Sequence, residues 1–386
     1  MRRPMRIGID ARKLHDFGIG TYLQNLLKEL VRLDDDAEYV VLCYARDLEW
    51  LGTLGPRVRP VLTAADTYSL LEQIEIPWRL WRAGVDLFHS PHYVLPLLVT
   101  CPSVVTIHDC IHLMFPQYLP NKLAIHYARF FMWWATRRAR LVMTVSEASK
   151  RDILRFCRIP AGKVTVIYNA IDDRFREPPP PDEVERIRER FQLHEPFVLY
   201  VGNVKPHKNL ERLIQAVHHL HENGYDQLKL LVIGSDISKY QALRRAIHVF
   251  NLHRYVRFLG FVPDRTLHVL YGLTSVFAFP SLYEGFGLPP LEAMACGAPV
   301  VTSNTSSLPE VVGDAAVLVD PTDARAIAEG LAHVLADPNL RADLQRRGVE
   351  RARSFSWAEA ARAVRRIYDE SLAAGAPASG AAGAAR

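Results

Sequence analysis

The chain has 386 residues, of which 49% are apolar and 23% charged, and a formal net charge of +5 at pH 7. This length exceeds one ordinary hydrophobic core and predicts two globular domains. No apolar run approaches the roughly 18 residues needed to cross a bilayer, and the basic start runs directly into strand-like residues, unlike a signal peptide. The mild positive charge permits an anionic partner.

The five cysteines are scattered, odd in number and never spaced as CxxC. This pattern disfavours a disulfide framework or a zinc cluster and indicates a reducing compartment. We therefore expect a cytoplasmic protein, and a peripheral position at the inner face of the plasma membrane is compatible with its charge.

Short β-rich runs alternate with helix-like stretches along the whole chain. The predicted strands of the first half are RIGID, EYVVLCYA, VDLFHS, SVVTIHD, LVMTVS and VTVIYN, and those of the second half are FVLYVGN, LKLLVIGS, VRFLGF, SVFAFPS, APVVTS and AAVLVD. Continuous apolar strands separated by helices predict parallel sheets that are covered on both faces. The sequence therefore predicts an α/β protein with two Rossmann-like halves.

The proline run REPPPPDE at 176–183 marks a boundary, because proline fixes φ and lacks the donor that a helix or central strand requires. The tail is rich in alanine and glycine and has too little to bury. The predicted segments are an N-terminal domain over 1–175, a proline-rich linker and connecting helix over 176–194, a C-terminal domain over 195–355, a helix over 356–372 and a disordered tail over 373–386.

The stretch SLYEGFGLPPLEAMACG at 281–297 follows a buried strand. Pro289 and Pro290 suit the first turn of a helix, and Gly297 suits the position after its end, so we expect a short helix over 291–296. In open α/β folds such a helix N-terminus points at the crevice where ligands bind.

Two acids flank this loop, at Glu284 and Glu292. A helix N-terminus preceded by glycines attracts phosphate, and Gly285 and Gly287 let the backbone at 286–288 approach a ligand closely. An ionised carboxylate only accepts hydrogen bonds, so sugar hydroxyls are its natural partners. A diphosphate in the loop with a sugar at each glutamate satisfies this arrangement. The structural alternative is a glutamate near a helix dipole and another on an ordinary loop.

The pattern EGFGLPPLEAMACGxPVV resembles the E-x7-E signature of retaining glycosyltransferases of family 4, the group 1 glycosyltransferases. Further pieces follow the family order: GIGTYLQNL, TIHD, TVSEASK, VIYNAID, YVGNVKPHKNL, FLGFVP and SNTSSLPEVVGDAAVLVDP. Within that family the chain more closely resembles bacterial enzymes that build O-antigen, capsule or exopolysaccharide, including mannosyltransferases. The resemblance implies the GT-B fold, in which two doubly wound Rossmann-like domains face a cleft and the last helix crosses back to the N-terminal domain.

The resemblance also implies roles for the residues of the C-terminal domain. Glu284 would hold donor-sugar hydroxyls, Glu292 the ribose, and Lys208 of KPHKN the leaving diphosphate. Asn203 and His207 stand where relatives often carry arginine, which leaves Lys205 as a second cation or as part of a solvated basic turn. The remaining implied donor contacts are the backbone at Gly285, Phe286, Gly287 and Leu288 and the base loop at Gly260 and Val262.

In the N-terminal domain, GIGTY carries Gly18 and Gly20. A dinucleotide fingerprint would need a third glycine where Leu23 stands, so NAD binding is disfavoured. The resemblance implies that the glycine pair approaches the donor phosphates. An ordinary turn at a helix start is the alternative.

The segment TIHD closes a strand with His108 and Asp109. With His112 it spells H-D-x-x-H, but zinc binding by that spacing needs both histidines on one helical face, so we disfavour it. The resemblance implies that His108 contacts the donor sugar, that Asp109 lies near the acceptor hydroxyl and that Ser146 lines the cleft. A packed core histidine is the alternative. LDDDAE at 33–38 is interpreted as a solvated turn, and no metal or resident cofactor is expected.

The stretch RFFMWWATRRAR at 129–140 mixes aromatic and cationic residues. It suits either a contact with a membrane surface or a helix with an apolar core face, and the second is favoured.

The resulting prediction is a metal-independent, retaining hexosyltransferase. The resemblance implies a GDP- or UDP-linked sugar donor, with GDP-mannose favoured, and a glycan or lipid-linked saccharide acceptor; no nucleic acid partner is expected. The implied reaction is front-face attack, in which the leaving phosphate takes the proton of the acceptor. The alternatives are a sugar-nucleotide 2-epimerase of the same fold and a non-catalytic scaffold of a polysaccharide assembly.

Overall fold

A computed structural model describes residues 3–33, 36–119, 121–234 and 240–373. The chain divides into two compact units. The first unit comprises Met1–Asn169 with Trp357–Arg386, and the second unit comprises Ala170–Ser356.

The first unit is built on a parallel sheet of seven strands in the part of the chain described. Its strands are β1 (Met5–Asp10), β2 (Ala37–Cys43), β3 (Val58–Leu62), β4 (Leu87–Ser90), β5 (Ser103–Ile107), β6 (Leu141–Thr144) and β7 (Val164–Val166), in the order β3-β2-β1-β4-β5-β6-β7. Its helices are α1 (Phe17–Leu33), α2 (Leu48–Gly52), α3 (Glu72–Ala83), α4 (Ile111–Met114), α5 (Lys122–Arg138) and α6 (Glu147–Cys157). Short 3₁₀ turns lie at Ala45–Asp47, Pro116–Tyr118 and Ala161–Lys163.

The second unit contains a parallel sheet of six strands among its described residues. A 3₁₀ turn at Asp173–Phe175 and α7 (Pro181–Phe191) come before the sheet. The strands are β8 (Phe197–Val201), β9 (Lys229–Ile233), β10 (Val256–Gly260), β11 (Val276–Phe279), β12 (Val300–Ser303) and β13 (Val317–Val319), in the order β10-β9-β8-β11-β12-β13. The other helical segments are a 3₁₀ turn at Pro206–Lys208, α8 (Leu210–Glu222), α9 (Gln241–Val249), α10 (Asp264–Leu273), α11 (Leu288–Ala295), α12 (Leu308–Val312), α13 (Ala324–Ala336) and α14 (Pro338–Arg353).

Both sheets confirm the predicted α/β class. In each, the first strand of the unit lies inside the sheet and the order reverses beside it, which is the doubly wound Rossmann arrangement. All twelve predicted strands are present. The sequence missed β3, whose run VRPVL contains Pro60. Proline is tolerated there because β3 is the edge strand and leaves one row of donors unpaired.

Three crossover helices of the first unit, α3, α5 and α6, bury apolar side chains in one cluster with its sheet. Ile76 and Leu80 of α3, Met132 of α5 and Ile153 of α6 belong to one buried cluster with Phe88 of β4. The predicted core face of the 129–140 stretch therefore exists in α5, where Phe131, Met132 and Ala135 are buried.

The last helix, α15 (Trp357–Ala373), belongs to the first unit. Tyr368 of α15 is fully buried, and its hydroxyl lies 2.7 Å from Nδ1 of His89 in β4. The other ring nitrogen of His89 lies 2.8 Å from Oγ1 of Thr106, which also contacts the Tyr22 hydroxyl at 3.1 Å. This buried polar chain joins α15 to β4, β5 and α1, and burial lowers the pKa of His89 to about 3.

The observed division differs from the predicted boundaries. The units divide after Asn169 rather than at 175, and the proline-rich segment lies inside the second unit. The reason is local docking: the Arg176 guanidinium donates to the carbonyl oxygens of Ala352 and Phe355. Ala373 ends α15 rather than opening a tail, while the rest of the predicted tail, 374–386, and Asp34 and Asp35 of LDDDAE lie outside the described residues.

Within the described ranges, no helix combines the length and the apolar content that crossing a bilayer would require.

Candidate active site

The loop from β11 to α11 is shaped by one glycine. Gly287 has φ of 105°, which disfavours any residue with a side chain, and a Cβ there would also force Cδ2 of Leu308, 2.7 Å away, to shift. The helix α11 begins at Leu288, three residues earlier than predicted, with Pro289 and Pro290 in its first turn as expected. Its N-terminus lies at the carboxyl edge of the sheet.

Two serines hold this loop in place, and the sequence interpretation missed both. The Oγ of Ser306 accepts from the Glu284 N–H at 2.8 Å and donates to the Glu284 carbonyl oxygen at 2.7 Å. The Ser307 hydroxyl lies 3.0 Å from the same carbonyl and 2.8 Å from that of Phe286. The sequence analysis used the SNTSS piece only as part of the family pattern. The hydrogen-bond partners of its two serines lie more than 20 residues earlier, so nothing near the piece in the sequence identifies them.

The side chains of Lys208 and Glu284 meet at the sheet edge. Lys208 Nζ donates to both carboxylate oxygens of Glu284, at 2.7 and 2.8 Å, and lies 5.4 Å from the centre of the Phe279 ring. Both side chains are mostly buried, at 19% and 11% exposure. The pair comes from the loops that follow β8 and β11, which are neighbours in the sheet.

The turn that carries Lys208 is anchored by the next residue. Asn209 has φ of 61°, and its side-chain amide donates to the carbonyl oxygens of Pro280 at 2.8 Å and Pro321 at 2.6 Å. The Leu282 N–H donates to the His207 carbonyl at 2.8 Å. Lys205 is exposed on the same turn, so the structure separates a held lysine, Lys208, from a solvated one.

Glu292 lies on α11 and takes a hydrogen bond from the Tyr271 hydroxyl of α10 at 3.0 Å. Burial raises the pKa of Glu292 to about 7, and the nearby Asp264 carboxylate adds to the effect. Burial and Glu292 together raise the pKa of Tyr271 well above its usual value. Tyr271 therefore remains a donor to this carboxylate, and it is a further partner that the sequence did not indicate.

The other predicted donor contacts differ in how far they are buried. The Phe286 ring is buried and packs edge-on to Phe355, with ring centres 5.7 Å apart, so the ring is not available to contact a ligand. Gly260 ends β10 with φ of 67°, and Val262 is buried beyond it. The remaining predicted positions are half-buried: Asn203 and Gly285 lie on loops at this edge, and Leu288 is the first residue of α11.

His108 and Asp109 lie in the first unit, directly after β5. His108 Nε2 lies 3.0 Å from the Pro91 carbonyl, which can only accept, so Nε2 carries the proton. Burial lowers the pKa of His108 to about 4, so the ring is neutral at pH 7. Asp109 accepts from the Ile111 N–H at 2.9 Å, and the Ser149 hydroxyl donates to the His108 carbonyl at 3.0 Å.

Gly18 and Gly20 lie in the first turn of α1, also in the first unit. A Cβ on Gly20 would lie 2.5 Å from the Leu14 carbonyl oxygen, whereas one on Gly18 would meet nothing within 4 Å. Packing therefore explains Gly20 but not Gly18. Elsewhere on this unit His112 lies in α4 and contacts Tyr93, and the described residues contain no group of three His, Cys, Asp or Glu side chains placed to hold a metal ion.

Two family descriptions match this chain. Residues 18–175 match Glycosyltransferase Family 4, and residues 182–351 match Glycosyl transferases group 1. The O-antigen chain mannosyltransferase B of Escherichia coli is 34% identical over 302 residues, which cover 78% of each chain. The serotype-specific mannosyltransferase WbdA of Escherichia coli is 30% identical over 290 residues, which cover 71% of this chain and 34% of WbdA.

Among solved structures, HepE of Anabaena in complex with UDP and glucose superposes with a TM-score of 0.77. The superposition covers 95% of this chain and all of HepE, at 20% identity. The likeness shows a shared fold.

Proposed function

Because this chain belongs to the glycosyltransferases of family 4, we propose that it transfers mannose, with retention and without a metal ion, from GDP-mannose to a growing cell-surface glycan or lipid-linked saccharide. The mannosyl group is suggested by the two relatives named as mannosyltransferases. A UDP-linked donor is the alternative, because the structural neighbour HepE was solved with UDP.

The observation that carries the proposal is the Lys208–Glu284 pair beside the N-terminus of α11. A diphosphate needs positive charge and free donors, and the adjoining sugar needs acceptors for its hydroxyls. Lys208 supplies the positive charge, and Glu284, next to it, supplies the acceptor oxygens. Donor binding would divide the pair: Lys208 would turn to the phosphate, and Glu284 would accept from the sugar.

Catalysis would follow from charge development on the departing diphosphate. As the bond from C1 to oxygen breaks, negative charge grows on the leaving phosphate, where Lys208 and the helix N-terminus stabilise it. One such fixed donor contributes typically about 2.7–4 kcal/mol. The leaving phosphate would then accept the proton of the attacking hydroxyl. Glu292 would hold the ribose hydroxyls at the other end of the donor.

Neutral His108 would act as a hydrogen-bonding contact for the donor sugar rather than as a charged acid, because its pKa lies near 4. Its proton sits on Nε2, held by the Pro91 carbonyl, which leaves Nδ1 as an acceptor for a hydroxyl. Asp109 would lie near the acceptor hydroxyl.

The direct test is a thermal-shift panel of GDP, UDP and their mannose and glucose derivatives, followed by assay of nucleotide release with and without a mannose-containing acceptor. A ligand present at about 100 times its Kd stabilises the fold by roughly 2.7 kcal/mol. We expect GDP-mannose to stabilise the protein most, and nucleotide release to require the acceptor. Stabilisation by no sugar nucleotide would contradict the proposal, and epimerised sugar formed from donor alone would favour the 2-epimerase.

A further inference from the structure

One side of α3 and the turn before it carry large apolar side chains that the first unit leaves in contact with solvent. They are Leu70, Leu71, Ile74, Trp78 and Trp81, with Trp81 72% and Ile74 64% exposed. Their spacing of three and four residues places 74, 78 and 81 on one helix face. The opposite face is buried, since Ile76 and Leu80 pack in the core.

The neighbouring loop extends this apolar area. Leu97 and Leu98 are exposed, and the Leu97 N–H donates to the Gln73 side chain of α3 at 3.0 Å. Trp81 and Val99 line one shallow cavity at the other end of the helix. We call residues 70, 71, 74, 78, 81, 97 and 98 the α3 surface.

Arginines border the α3 surface. The guanidinium groups of Arg79 and Arg82 lie over the Trp78 ring, 5.0 and 5.3 Å from its centre. Arg79 is also paired with Glu75 at 3.0 Å, which offsets its charge. Arg138, at the end of α5, donates to the Val99 carbonyl at 3.4 Å and brings another cation to the loop. Tryptophan beside arginine is typical of segments that lie at a lipid headgroup boundary, where the ring enters the apolar layer and the cation meets phosphate.

We propose that the α3 surface rests on an anionic lipid bilayer. The helix has 12 residues, too few to span the hydrocarbon core, so it would lie in the plane of the interface. A large exposed apolar area bordered by positive charge is complementary to acidic headgroups above acyl chains.

The same helix also reaches the carboxyl edge of the sheet. Its first residue, Glu72, is fully buried and accepts from Arg12 at 3.0 Å and from the Tyr127 hydroxyl at 3.2 Å. Arg12 in turn pairs with Asp10, the last residue of β1, at 2.7 Å. A bilayer against α3 would therefore lie beside this edge, where a lipid-linked saccharide could reach the first unit. This consequence rests on the proposed function; the lipid contact itself does not.

The test is cosedimentation of the full chain with vesicles of phosphatidylglycerol and phosphatidylethanolamine, compared with vesicles of phosphatidylcholine alone. The variant is the double substitution Ile74→Ser with Trp81→Ala, both at exposed positions. The matched control is Val249→Ser, which removes an exposed apolar side chain from α9 in the second unit. We expect wild type and control to bind the anionic vesicles and to lose binding in high salt, and the double variant to bind at least about tenfold more weakly.

Equal binding by the double variant and wild type would overturn the proposal, as would failure of wild type to bind the anionic vesicles. Sedimentation velocity without lipid adds a further arm. Self-association that the double variant abolishes would assign the surface to a second copy of this chain and would also overturn it. Donor-induced stabilisation and transfer to a soluble acceptor need no lipid, so their loss would count against the proposed function instead.

Discussion

Lys208 and Glu284 are 76 positions apart in the chain, yet both oxygens of the glutamate lie within 2.8 Å of the lysine nitrogen. Each would be a poorly solvated charge alone, because both side chains are mostly buried. The ion pair therefore stabilises both charges at the sheet edge. A ligand with both phosphate and hydroxyl groups would replace each partner and separate the two side chains. Because Lys208 would bind phosphate and Glu284 would bind sugar hydroxyls, substituting each residue should affect the reaction differently.

Removing either member should reduce transfer by different amounts. Glu284→Gln weakens charge-assisted hydrogen bonds worth about 1.5–3 kcal/mol, so we expect a loss of at least roughly 10- to 150-fold in kcat/KM. Lys208→Met removes a donor from the leaving group, and we expect about 10²–10³ in kcat. Steady-state assay of nucleotide release measures both, with Glu350→Gln, an exposed glutamate of α14, as the control. Near-normal turnover in either variant would exclude these roles.

Substitutions of Lys208 and Glu284 should not be additive in their effect on the free energy of unfolding. Each single substitution leaves one mostly buried charge unpaired, and we expect a loss of about 1–3 kcal/mol in the free energy of unfolding. The double variant Lys208→Met with Glu284→Gln removes both charges and should be more stable than the sum of the single losses predicts, while remaining inactive. A double-mutant cycle by urea unfolding measures the coupling. Strict additivity would mean that the pair does not interact in solution.

Ser306 is expected to position Glu284 without touching the reaction. Ser306 has φ of 58°, a conformation that costs a non-glycine residue about 1–2 kcal/mol, so Ser306→Gly relieves strain while it deletes the hydroxyl. We expect Ser306→Gly to be at least as stable as Ser306→Ala and about equally impaired, by roughly tenfold in kcat/KM. Thermal unfolding and kinetics separate the two effects, with Ser354→Ala, an exposed serine, as the control. Full activity in Ser306→Gly would remove the positioning role.

Gly18 and Gly20 differ in what packing permits. Gly20→Ala places a methyl group against the Leu14 carbonyl and should cost about 1–3 kcal/mol of stability. Gly18→Ala meets open space inside α1 and should stabilise the helix by roughly 0.5–1 kcal/mol. If Gly18 approaches the donor phosphates, Gly18→Ala should nevertheless raise the KM for the donor. A stable Gly18→Ala enzyme with unchanged donor KM would show that this glycine is not a donor contact.

Glu292 predicts a particular pH dependence. Its pKa is about 7 in the folded chain and near 4.5 in the unfolded one, so the folded state binds more protons between these values and stability falls as pH rises through that window. Glu292→Gln keeps an acceptor for Tyr271 but cannot ionise. We expect it to stabilise the protein by about 3 kcal/mol at about pH 8 relative to its effect at about pH 4.5, measured by urea unfolding. An equal effect at both pH values would contradict the raised pKa.

The same ionisation should affect the donor. Because the ionised form of Glu292 is the better acceptor for ribose hydroxyls, donor affinity should weaken as pH falls below about 7. Isothermal titration across this range checks it, with the Glu292→Gln variant expected to show a flat profile.

The alternation of apolar strands and helices by itself indicated the two parallel sheets, because helices between the strands cover both faces of a sheet and leave its strands apolar throughout. The E-x7-E stretch likewise indicated the family and the helix that begins near Leu288, since its glycines and prolines act locally through their own φ angles. The sequence did not predict β3, because Pro60 within VRPVL argues against a strand. Proline is tolerated there only because β3 lies at the edge of the sheet.

Contacts across long stretches of chain were decided by tertiary structure alone. The pattern of residues could mark Lys208 and Glu284 as site residues, but only the neighbouring positions of β8 and β11 bring them into one ion pair. Ser306 and Tyr271 acquire their partners in the same way. The periodicity of α3 shows which residues are apolar, but not which of them the fold covers; Trp81 stays exposed because nothing else in the described first unit packs over that face. Residue types and their spacing determine the helices and strands, whereas the contact partners of a side chain depend on which distant segments the fold brings next to it.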